Sequence, residues 1–485
     1  TINMSGYLTC RATSVGSDTA FSHIIQTVTD AANDKAPIDR TVDKISFYFI
    51  PFVIVLSVVT FAVWMFYGYG FGFSISRAVS VLIVSCPCAL GLAAPVAIML
   101  GTGVGAKHGI LYKTAEGLEN TGRTQIVVVD KTGTLTTGNP KVTDIISTKS
   151  DIEHRDLLLS IAYALESKSE HPIAKAICSF AEKRFVPVMK TSSFEAIPGK
   201  GIKAEMFVGD RNRTIYAGNE AYIAEALLGQ TDDFNNDFSP RIKRLVAEGK
   251  IPTLFASESG MLGVIAVADE IREGSRAAID LLHKEDIHVC MVTGDRLATS
   301  EAVGGQVGIE PNQVISDVLP DEKANIVEKL KESGKVTMIG DGINDAIALT
   351  VADAGIAIGA GTDVAVDAAD VVLVQDSLIT AVDAIRLSRD TLKIIHQNLF
   401  WALFYNIIGI PLAAGCFYKA FGWILDPMFC AAAMSISGVF VVANALRLFS
   451  FRTTDPDELE EEEDNEYDTD EETEEDDDTG ESSEE

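Results

Sequence analysis

Aspartates follow three apolar runs of the sequence. Asp130 comes directly after VVV and before KTGT, the string TGD at 293–295 follows HVCMV, and Asp341 and Asp345 belong to GDGIND after VTMI. A carboxylate at a strand tip can act as a nucleophile toward a phosphoryl group. Oxygen ligands from Asp341 and Asp345 would hold Mg²⁺, which offsets the repulsion between carboxylate and phosphate. One such aspartate is more often structural, but the three strings together favour phosphoryl transfer on Asp130.

Nearby residue types suit the same chemistry. Lys323, in PDEK, precedes the third apolar run and can neutralise a phosphate. Glycines at 133, 294, 340 and 342 let the backbone approach phosphate oxygens closely.

The elements that position these residues alternate between strand and helix patterns. Strand-like runs at 125–134, 288–295 and 336–345 are separated by helical patterns at 275–284 and 321–332. This alternation predicts a parallel α/β sheet with its polar residues at the carboxyl ends of the strands. About 150 residues lie between the first two strands. They include a predicted helix at 155–183 and strand-like runs such as KAEMFVG and TIYAG, and so predict an inserted second domain.

Four uncharged apolar runs flank this region, at 47–67, 78–100, 399–418 and 428–446. Each has the roughly 20 residues that cross a bilayer core; buried helices of a large soluble core are the alternative. The runs form two hairpins with short loops at 68–77 and 419–427, and Arg77 falls in the first loop. More basic residues flank the long intervening segment than the short loops, which favours the cytoplasm for that segment.

The second apolar run contains Cys86 and Cys88 on either side of Pro87. Two thiolates suit a soft metal such as Cu⁺ better than Mg²⁺ or Ca²⁺. Pro87 removes a backbone donor and opens the helix, so the two sulfurs need not point to opposite sides. The alternative is a pair of buried cysteines that only pack.

Charge and cysteine content narrow the function further. Of the net charge of −31, the segment 451–485 supplies 21 acidic residues against one arginine. The rest of the chain is mildly acidic and has no basic stripe, which argues against nucleic acid as a partner. The 7 cysteines show no disulfide-scaffold spacing, which favours a reduced compartment.

The strings DKTGT, TGD and GDGIND in this order resemble the phosphorylation domain of P-type ATPases, in the haloacid dehalogenase-like superfamily. The resemblance implies that Asp130 accepts the γ-phosphate of ATP and that Mg²⁺ is bound by Asp130, Thr132, Asp341 and Asp345. The implied catalytic residues are Asp130, Lys131, Thr132, Thr293, Gly294, Asp295, Lys323 and Asn344.

The insert then resembles a nucleotide-binding domain. SEHP at 169–172 is similar to the short His-Pro motif of the heavy-metal-transporting branch. The implied ATP contacts are Glu166, His171, Gly199, Gly201 and Asn219.

Cys-Pro-Cys just before the phosphorylation domain is also typical of the heavy-metal branch. Tyr405 and Asn406 in the spacing N-x6-YN-x4-P, with Met434 and Ser437, resemble the copper/silver subgroup. The implied ligands of the transported ion are Cys86, Cys88, Tyr405, Asn406, Met434 and Ser437. The sequence departs from the subgroup at Gly438, where the second serine of M-x-x-S-S is expected.

The expected fold is a multidomain membrane protein with α-helical transmembrane hairpins, an α/β haloacid dehalogenase-like phosphorylation domain and an inserted α+β nucleotide-binding domain. The expected segments are an actuator remnant at 1–28, a hairpin at 46–68 and 76–100, the phosphorylation domain at 105–140 and 266–385, the nucleotide-binding domain at 141–265, a second hairpin at 395–450 and a disordered acidic tail at 451–485. We expect the chain to be N-terminally incomplete, and therefore poor at turnover, because the TGE loop of the actuator domain is not found upstream.

The resemblance implies ATP-driven export of Cu⁺, with Ag⁺ as a second cargo, through an aspartyl phosphate. It also implies a cell (plasma) membrane location with large cytoplasmic domains, contact with membrane lipid, and a cytosolic copper chaperone for the full-length protein. The alternatives are transport of Zn²⁺ or Cd²⁺, a membrane-tethered phosphatase, and a non-catalytic metal-binding remnant.

Overall fold

The computed structural model describes residues 29, 31, 35–148, 152–169, 171–197, 199–208, 211–227, 238–341, 345–359 and 363–455. The predicted actuator remnant at 1–28, residues 456–485 of the predicted tail, and the predicted catalytic residue Asn344 lie outside these ranges. The chain forms two compact units. Unit 1 comprises the chain up to Thr124, Asp353–Asp376 and the chain from Thr380 to Glu458, and unit 2 includes Gln125–Ala352 and Ser377–Ile379.

The elements are numbered along the chain. The helices are α1 (Pro37–Phe66), α2 (Phe71–Val84), α3 (Cys88–Lys107), α4 (Ala115–Gly122), α5 (Ile152–Glu166), α6 (Pro172–Lys183), α7 (Glu220–Ala226), α8 (Ser239–Ala247), α9 (Ser275–Lys284), α10 (Leu297–Gln306), α11 (Pro320–Leu330), α12 (Ala346–Val351), α13 (Asp363–Ala368), α14 (Leu378–Ala414), α15 (Tyr418–Phe421) and α16 (Pro427–Ala445). The strands are β1 (Ile110–Tyr112), β2 (Ile126–Asp130), β3 (Lys141–Ser147), β4 (Thr191–Ile197), β5 (Gly201–Val208), β6 (Arg211–Gly218), β7 (Ile251–Ser257), β8 (Gly260–Ala268), β9 (His288–Val292), β10 (Val314–Ile315), β11 (Val336–Gly340), β12 (Ala354–Ala357) and β13 (Val371–Leu373).

Unit 1 contains the membrane helices. Within the described ranges, three helical stretches are long and apolar enough to cross a membrane: Pro37–Phe66, Phe71–Lys107 and Pro427–Ser450. They contain, apart from Tyr67, the predicted spans 47–67, 78–100 and 428–446. The second stretch is interrupted between α2 and α3, at Ser85–Pro87, as the proline in Cys-Pro-Cys predicts.

The other predicted span, 399–418, differs from these three. It lies largely in the C-terminal part of α14, which ends at Ala414, and α14 is not among the stretches apolar enough to cross alone. The buried amide of Asn406, 5% exposed, interrupts its apolar run, and that of Asn398, 0% exposed, directly precedes it. On the same helix, Ala402 and Ala413 belong to clusters shared with α1, α2, α3 and α16. The polar groups of α14 therefore face other helices, which explains its lower apolar content.

Arg77 corrects the predicted loop at 68–77. Helix α2 begins at Phe71, so Arg77 lies inside the helix, where it is 2% exposed. Its Nη1 donates to the carbonyl oxygen of Leu425 at 2.7 Å, and its Nη2 lies 3.3 Å from Asp426 Oδ1. The prediction of Arg77 as a loop charge is wrong because a carbonyl and a carboxylate offset the cost of burying the guanidinium.

In unit 2, four parallel strands lie in the order β11-β2-β9-β10. Val129 is in register with Ile339 of β11 and with Met291 of β9, so the segments that follow the three strands meet at one edge. Helix α9 confirms the predicted helix at 275–284, and α11 corresponds to the one predicted at 321–332. In unit 1, β13 pairs antiparallel with β1 and parallel with β12.

The inserted segment forms an antiparallel sheet in the order β3-β8-β7-β6-β5-β4. Apolar side chains of α5 and α6, including Leu165 and Ile177, are buried in one cluster with Ile202 of β5 and Phe255 of β7. The predicted single helix at 155–183 is two helices in the structure, α5 and α6. Pro172 begins α6 because a proline has no N–H to donate and fits the first turn of a helix.

Candidate active site and metal path

Asp130 is the last residue of β2 and lies at the centre of a buried ionic cluster. Lys323 Nζ donates to Asp130 Oδ1 at 2.6 Å and to Asp345 Oδ1 at 2.8 Å. The three side chains are nearly inaccessible, with exposures of 9% for Asp130, 8% for Lys323 and 2% for Asp345. The sheet register thus brings together residues 193 and 22 positions apart in the sequence.

The cluster holds more negative than positive charge. Carboxylate oxygens of Asp130, Asp341 and Asp345 all lie within 4.8 Å of one another. Burial, followed by the charge of Asp345, raises the pKa of Asp130 to about 7, although Lys323 acts in the opposite direction. Burial lowers the pKa of Lys323, but the charges and hydrogen bonds of Asp130 and Asp345 outweigh it and leave this pKa raised.

This donor set fits Mg²⁺. A hard divalent cation takes carboxylate oxygens as ligands and usually keeps water or phosphate oxygens besides. Three converging carboxylates against one ammonium leave a negative excess that such a cation would neutralise.

The segment after Asp130 turns sharply at Gly133, where φ is +80°. A Cβ atom on Gly133 would lie 2.5 Å from Asp341 Cγ, which is inside van der Waals contact. Only glycine therefore allows the turn to lie against this carboxylate.

Arg272 holds the same turn from outside and was not predicted. Its Nη2 donates to the carbonyl oxygens of Gly133 at 2.5 Å and Thr136 at 3.3 Å, and its Nε donates to that of Thr134 at 3.2 Å. Asp269 Oδ2 accepts from Thr136 Oγ1 at 2.5 Å. Both residues belong to the string DEIRE directly after β8, a charged run at the exit from the insert that could have indicated such a role.

The TGD string supports the Asp130 segment from the neighbouring strand. Lys131 Nζ forms an ion pair with Asp295, and Lys131 is buried. Thr293 is also buried, and its hydroxyl accepts from the backbone N–H of Asp295 at 3.2 Å.

A cavity of about 450 Å³ opens on this cluster. Its lining is Asp130, Thr132, Gly133, Gly138, Thr293, Gly294, Asp295, Lys323, Asp341 and Asp345. The structure therefore gathers at one cavity eight of the predicted catalytic and magnesium residues; Lys131 lies beside it, paired with Asp295.

Three of the predicted ATP contacts lie close together on the insert. Asn219 begins α7, where its Oδ1 accepts from Tyr222 N at 2.9 Å and its Nδ2 donates to the Gly199 carbonyl at 3.2 Å. Gly201 faces Gly218 on the next strand, and a Cβ on Gly201 would lie 2.8 Å from Gly218 Cα. Close backbone contact thus requires a glycine at position 201.

The other two predicted ATP contacts flank the turn between α5 and α6. Glu166 ends α5, and burial raises the pKa of its carboxyl to about 7. His171 caps α6, its Nδ1 accepting from Ile173 N at 3.3 Å, and its ring is exposed. The turn thus has a buried carboxyl at one end and an accessible ring at the other.

The membrane cysteines converge. At the break between α2 and α3, the sulfurs of Cys86 and Cys88 are joined as a disulfide, with Cα atoms 5.4 Å apart. Pro87 interrupts the helix and lets both side chains turn to one point.

Of the two predicted ligands on α14, Tyr405 lies close to this break and Asn406 lies inside the helix bundle. The Tyr405 hydroxyl donates to the Cys86 carbonyl at 3.2 Å. Asn406 is buried, and its Oδ1 has no hydrogen-bond partner in the described part of the chain. Such an orphan oxygen inside a membrane bundle is costly unless a cation or a water reaches it.

Met434 and Ser437 lie on α16, where the Ser437 hydroxyl donates to the Met434 carbonyl at 2.9 Å. Both are half-buried, and the space beside Gly438 is open, since a Cβ there would meet nothing within 4 Å. Of the ion ligands implied by the resemblance, the structure joins Tyr405 to the cysteine segment and places Met434 and Ser437 one turn apart on another helix.

Comparison with known proteins places this geometry in a family. Residues 124–353 match the family described as haloacid dehalogenase-like hydrolase. The chain is 42% identical over 459 residues to "Probable copper-transporting ATPase PacS" of Synechococcus elongatus, covering 93% of this chain and 59% of the relative. It is 44% identical over 453 residues to "Copper-transporting ATPase 1" of Rhizobium meliloti, covering 93% of this chain and 53% of the relative.

The chain thus spans 53% to 59% of the length of these two curated relatives. Among solved structures, a "zinc-transporting PIB-type ATPase in E2.Pi state" superposes with a TM-score of 0.70 at 31% identity, covering 90% of this chain and 68% of that one. This likeness extends across membrane and soluble parts alike, and it confirms the resemblance predicted from the motifs: the chain belongs to the P-type ATPases of the heavy-metal-transporting PIB type.

Proposed function

We propose that this chain performs the phosphorylation and metal-binding steps of an ATP-driven Cu⁺ exporter. The observation that carries the proposal is the Asp130–Lys323–Asp345 cluster, which stands at the end of a buried strand and opens on a cavity. Membership of the family and the copper-transporting names of the two curated relatives support the choice of reaction and cargo.

In the proposed reaction, an Asp130 carboxylate oxygen attacks the γ-phosphorus of ATP, and the bond to the β–γ bridging oxygen breaks to release ADP. Lys323 restrains Asp130 and offsets the charge of the carboxylate and the entering phosphoryl group. Thr293 and the backbone at Gly294 would contact the phosphoryl oxygens, and Lys131 would hold Asp295 beside them. Mg²⁺, when bound by Asp130, Asp341, Asp345 and the Thr132 carbonyl, would supply the remaining positive charge. Asn344 is proposed to act with these residues as a further catalytic residue.

The insert is proposed to bind the nucleotide. His171 offers an exposed ring for stacking on adenine, and Glu166 offers a buried carboxyl that can accept a hydrogen bond from the adenine amino group. The backbone near Gly199 and Gly201, held in place by Asn219, would follow the rest of the nucleotide closely.

Cu⁺ is proposed to bind at Cys86 and Cys88 after thiol–disulfide exchange with a cytosolic dithiol, which is itself oxidised to a disulfide, has returned the pair to two thiols. Loss of their two protons on binding leaves the thiolates that hold the ion. Two thiolates and a thioether at Met434 favour a soft monovalent ion such as Cu⁺ or Ag⁺. Tyr405, the orphan Asn406 Oδ1 and Ser437 would provide the further oxygen ligands. A plasma membrane location, with the large soluble domains in the cytoplasm and a cytosolic copper chaperone as the donor, completes the proposal.

The test is formation of an acid-stable phosphoenzyme from γ-³²P-ATP in membranes or detergent under reducing conditions. We expect labelling that requires Mg²⁺, is stimulated by Cu⁺ or Ag⁺, and is lost in Asp130→Asn. The double change Cys86→Ala with Cys88→Ala should abolish metal stimulation, whereas Cys430→Ala, a buried cysteine on α16 outside the proposed ligand set, should keep it. Stimulation by Zn²⁺ alone would overturn the cargo, and labelling that survives Asp130→Asn would overturn the reaction.

A further inference from the structure

A second cavity, of about 260 Å³, lies in unit 1 between α14 and the helical turn Leu446–Ser450 that follows α16. Its lining is Asp390, Lys393, Ile394, Gln397, Arg447, Leu448, Ser450 and Phe451. None of these residues belongs to the phosphorylation site or to the proposed ion path.

Two cations in this cavity have no carboxylate partner within the described ranges. Across the described ranges, neither Lys393 nor Arg447 forms an ion pair with a carboxylate. Arg447 Nη1 instead donates to the side-chain carbonyl oxygens of Gln397, at 3.3 Å, and Asn444, at 3.0 Å, which fixes its guanidinium at the cavity. Asp390 is the acidic group of the lining, so the side chains leave one positive charge in excess.

An apolar strip continues from the cavity along one face of α14. Lys393, Gln397, Phe400, Trp401 and Phe404 recur at the three- and four-residue spacing that places side chains on one face of a helix. The three aromatic side chains are all exposed, and so are Leu446 and Phe449 on the other side of the cavity. A charged head held between Lys393 and Arg447 would therefore have an apolar tail surface directly beside it.

We propose that this cavity binds the phosphodiester headgroup of an anionic membrane phospholipid, with its acyl chains along the exposed side chains of α14. The lining favours the phosphodiester headgroup. Lys393 and Arg447, which form no ion pair in the described ranges, attract the phosphate, and the buried Ile394 and Leu448 exclude a large hydrated ion. The strip of exposed aromatic residues selects a lipid over a soluble phosphate, because a free anion would leave that surface uncovered.

The proposal is tested by native mass spectrometry of the whole chain in detergent, titrated with phosphatidylglycerol or phosphatidylcholine. Each cation near an anionic headgroup contributes about a five-fold gain in affinity. We expect one phosphatidylglycerol to bind with about five-fold preference, and Lys393→Gln with Arg447→Gln to remove this preference. The matched control Lys107→Gln, an exposed cation at the end of α3 that does not line the cavity, should change it by less than about two-fold.

A variant that strengthens binding separates this site from general damage to the fold. Asp390→Asn removes the acidic group of the lining and should raise the preference for phosphatidylglycerol about five-fold. Glycerol 3-phosphate serves as the soluble probe and should not displace the lipid at equal concentration. The proposal is overturned if the double variant keeps the preference, if Asp390→Asn leaves it unchanged, or if glycerol 3-phosphate competes equally.

Discussion

Replacing Gly133 by alanine should remove phosphorylation while leaving the protein folded. The φ of +80° would cost an alanine about 1–2 kcal/mol of conformational free energy. The added Cβ would lie 2.5 Å from Asp341 Cγ, whereas carbon atoms pack best at about 3.5–4.0 Å. The Asp341 carboxylate or the Asp130 segment must therefore move by about 1 Å.

A displacement of about 1 Å at a reacting centre can lower a rate by roughly 100-fold. We expect this loss in the initial rate of phosphoenzyme formation, together with a higher Mg²⁺ concentration for half-maximal labelling, because Asp341 is a proposed magnesium ligand. Rapid-quench labelling with γ-³²P-ATP across a Mg²⁺ series measures both quantities.

The matched control is Gly308→Ala. Gly308 has a φ of +85°, but a Cβ there would approach only the end of the Asp280 side chain, at 3.3 Å. Both variants should lose similar conformational stability, and only Gly133→Ala should lose phosphorylation. Equal phosphorylation rates in the two variants would refute the reasoning that the space beside Asp341 requires a glycine.

Further predictions concern the loop, the insert and the ion path. Arg272→Gln should destabilise the chain by about 1–3 kcal/mol and slow phosphoenzyme formation, because carbonyls of the turn lose a charged donor. Arg276→Gln, which removes an exposed ion pair at 3.8 Å and an exposed hydrogen bond to the Gln306 carbonyl at 3.4 Å, should do neither in thermal melts and labelling assays. Glu166→Gln should leave the thermal midpoint unchanged near pH 4 and raise it at pH 8, where the gain in stability should be about 1–3 kcal/mol. The reason is that burial raises the pKa of this carboxyl from 4.5 to about 7, so above pH 4.5 ionisation favours the unfolded chain. A gain at both pH values would contradict this cause. Tyr405→Phe should weaken Cu⁺ binding in a chelator competition about two- to ten-fold through loss of the hydrogen bond to the Cys86 carbonyl, and Tyr418→Phe, whose ring lies against Trp64, should not.

The sequence predicts the phosphorylation site well because its residues follow buried parallel strands. Once β2, β9 and β11 are in register, the residues after them can lie only at one edge of the sheet. The family and the overall fold class are confirmed, whereas the individual roles of these residues stay predictions. The role of Arg272 was not predicted because it contacts residues 136 to 139 positions earlier in the sequence, and no local pattern indicates such distant contacts.

Two features of the membrane region have a common physical cause. The span 399–418 is predicted from its apolar run, but α14 is not among the stretches apolar enough to cross alone because Asn398 and Asn406 are buried among neighbouring helices. The charge of Arg77 likewise suggests a loop residue, and only the structure shows the carbonyl and the carboxylate that allow its burial. The split between α5 and α6 is different, because Pro172 after a capping residue is a local signal for a new helix.

The partners of Arg77 also bear on how the protein is made. Leu425 and Asp426 come 348 and 349 residues after it, so at about 5–20 residues per second a ribosome needs roughly 20 to 70 s to synthesise them. During that interval the first hairpin carries a guanidinium that has neither its carbonyl nor its carboxylate. The contacts between α2 and Leu425–Asp426 therefore form only after synthesis of the soluble segment that separates them in the sequence.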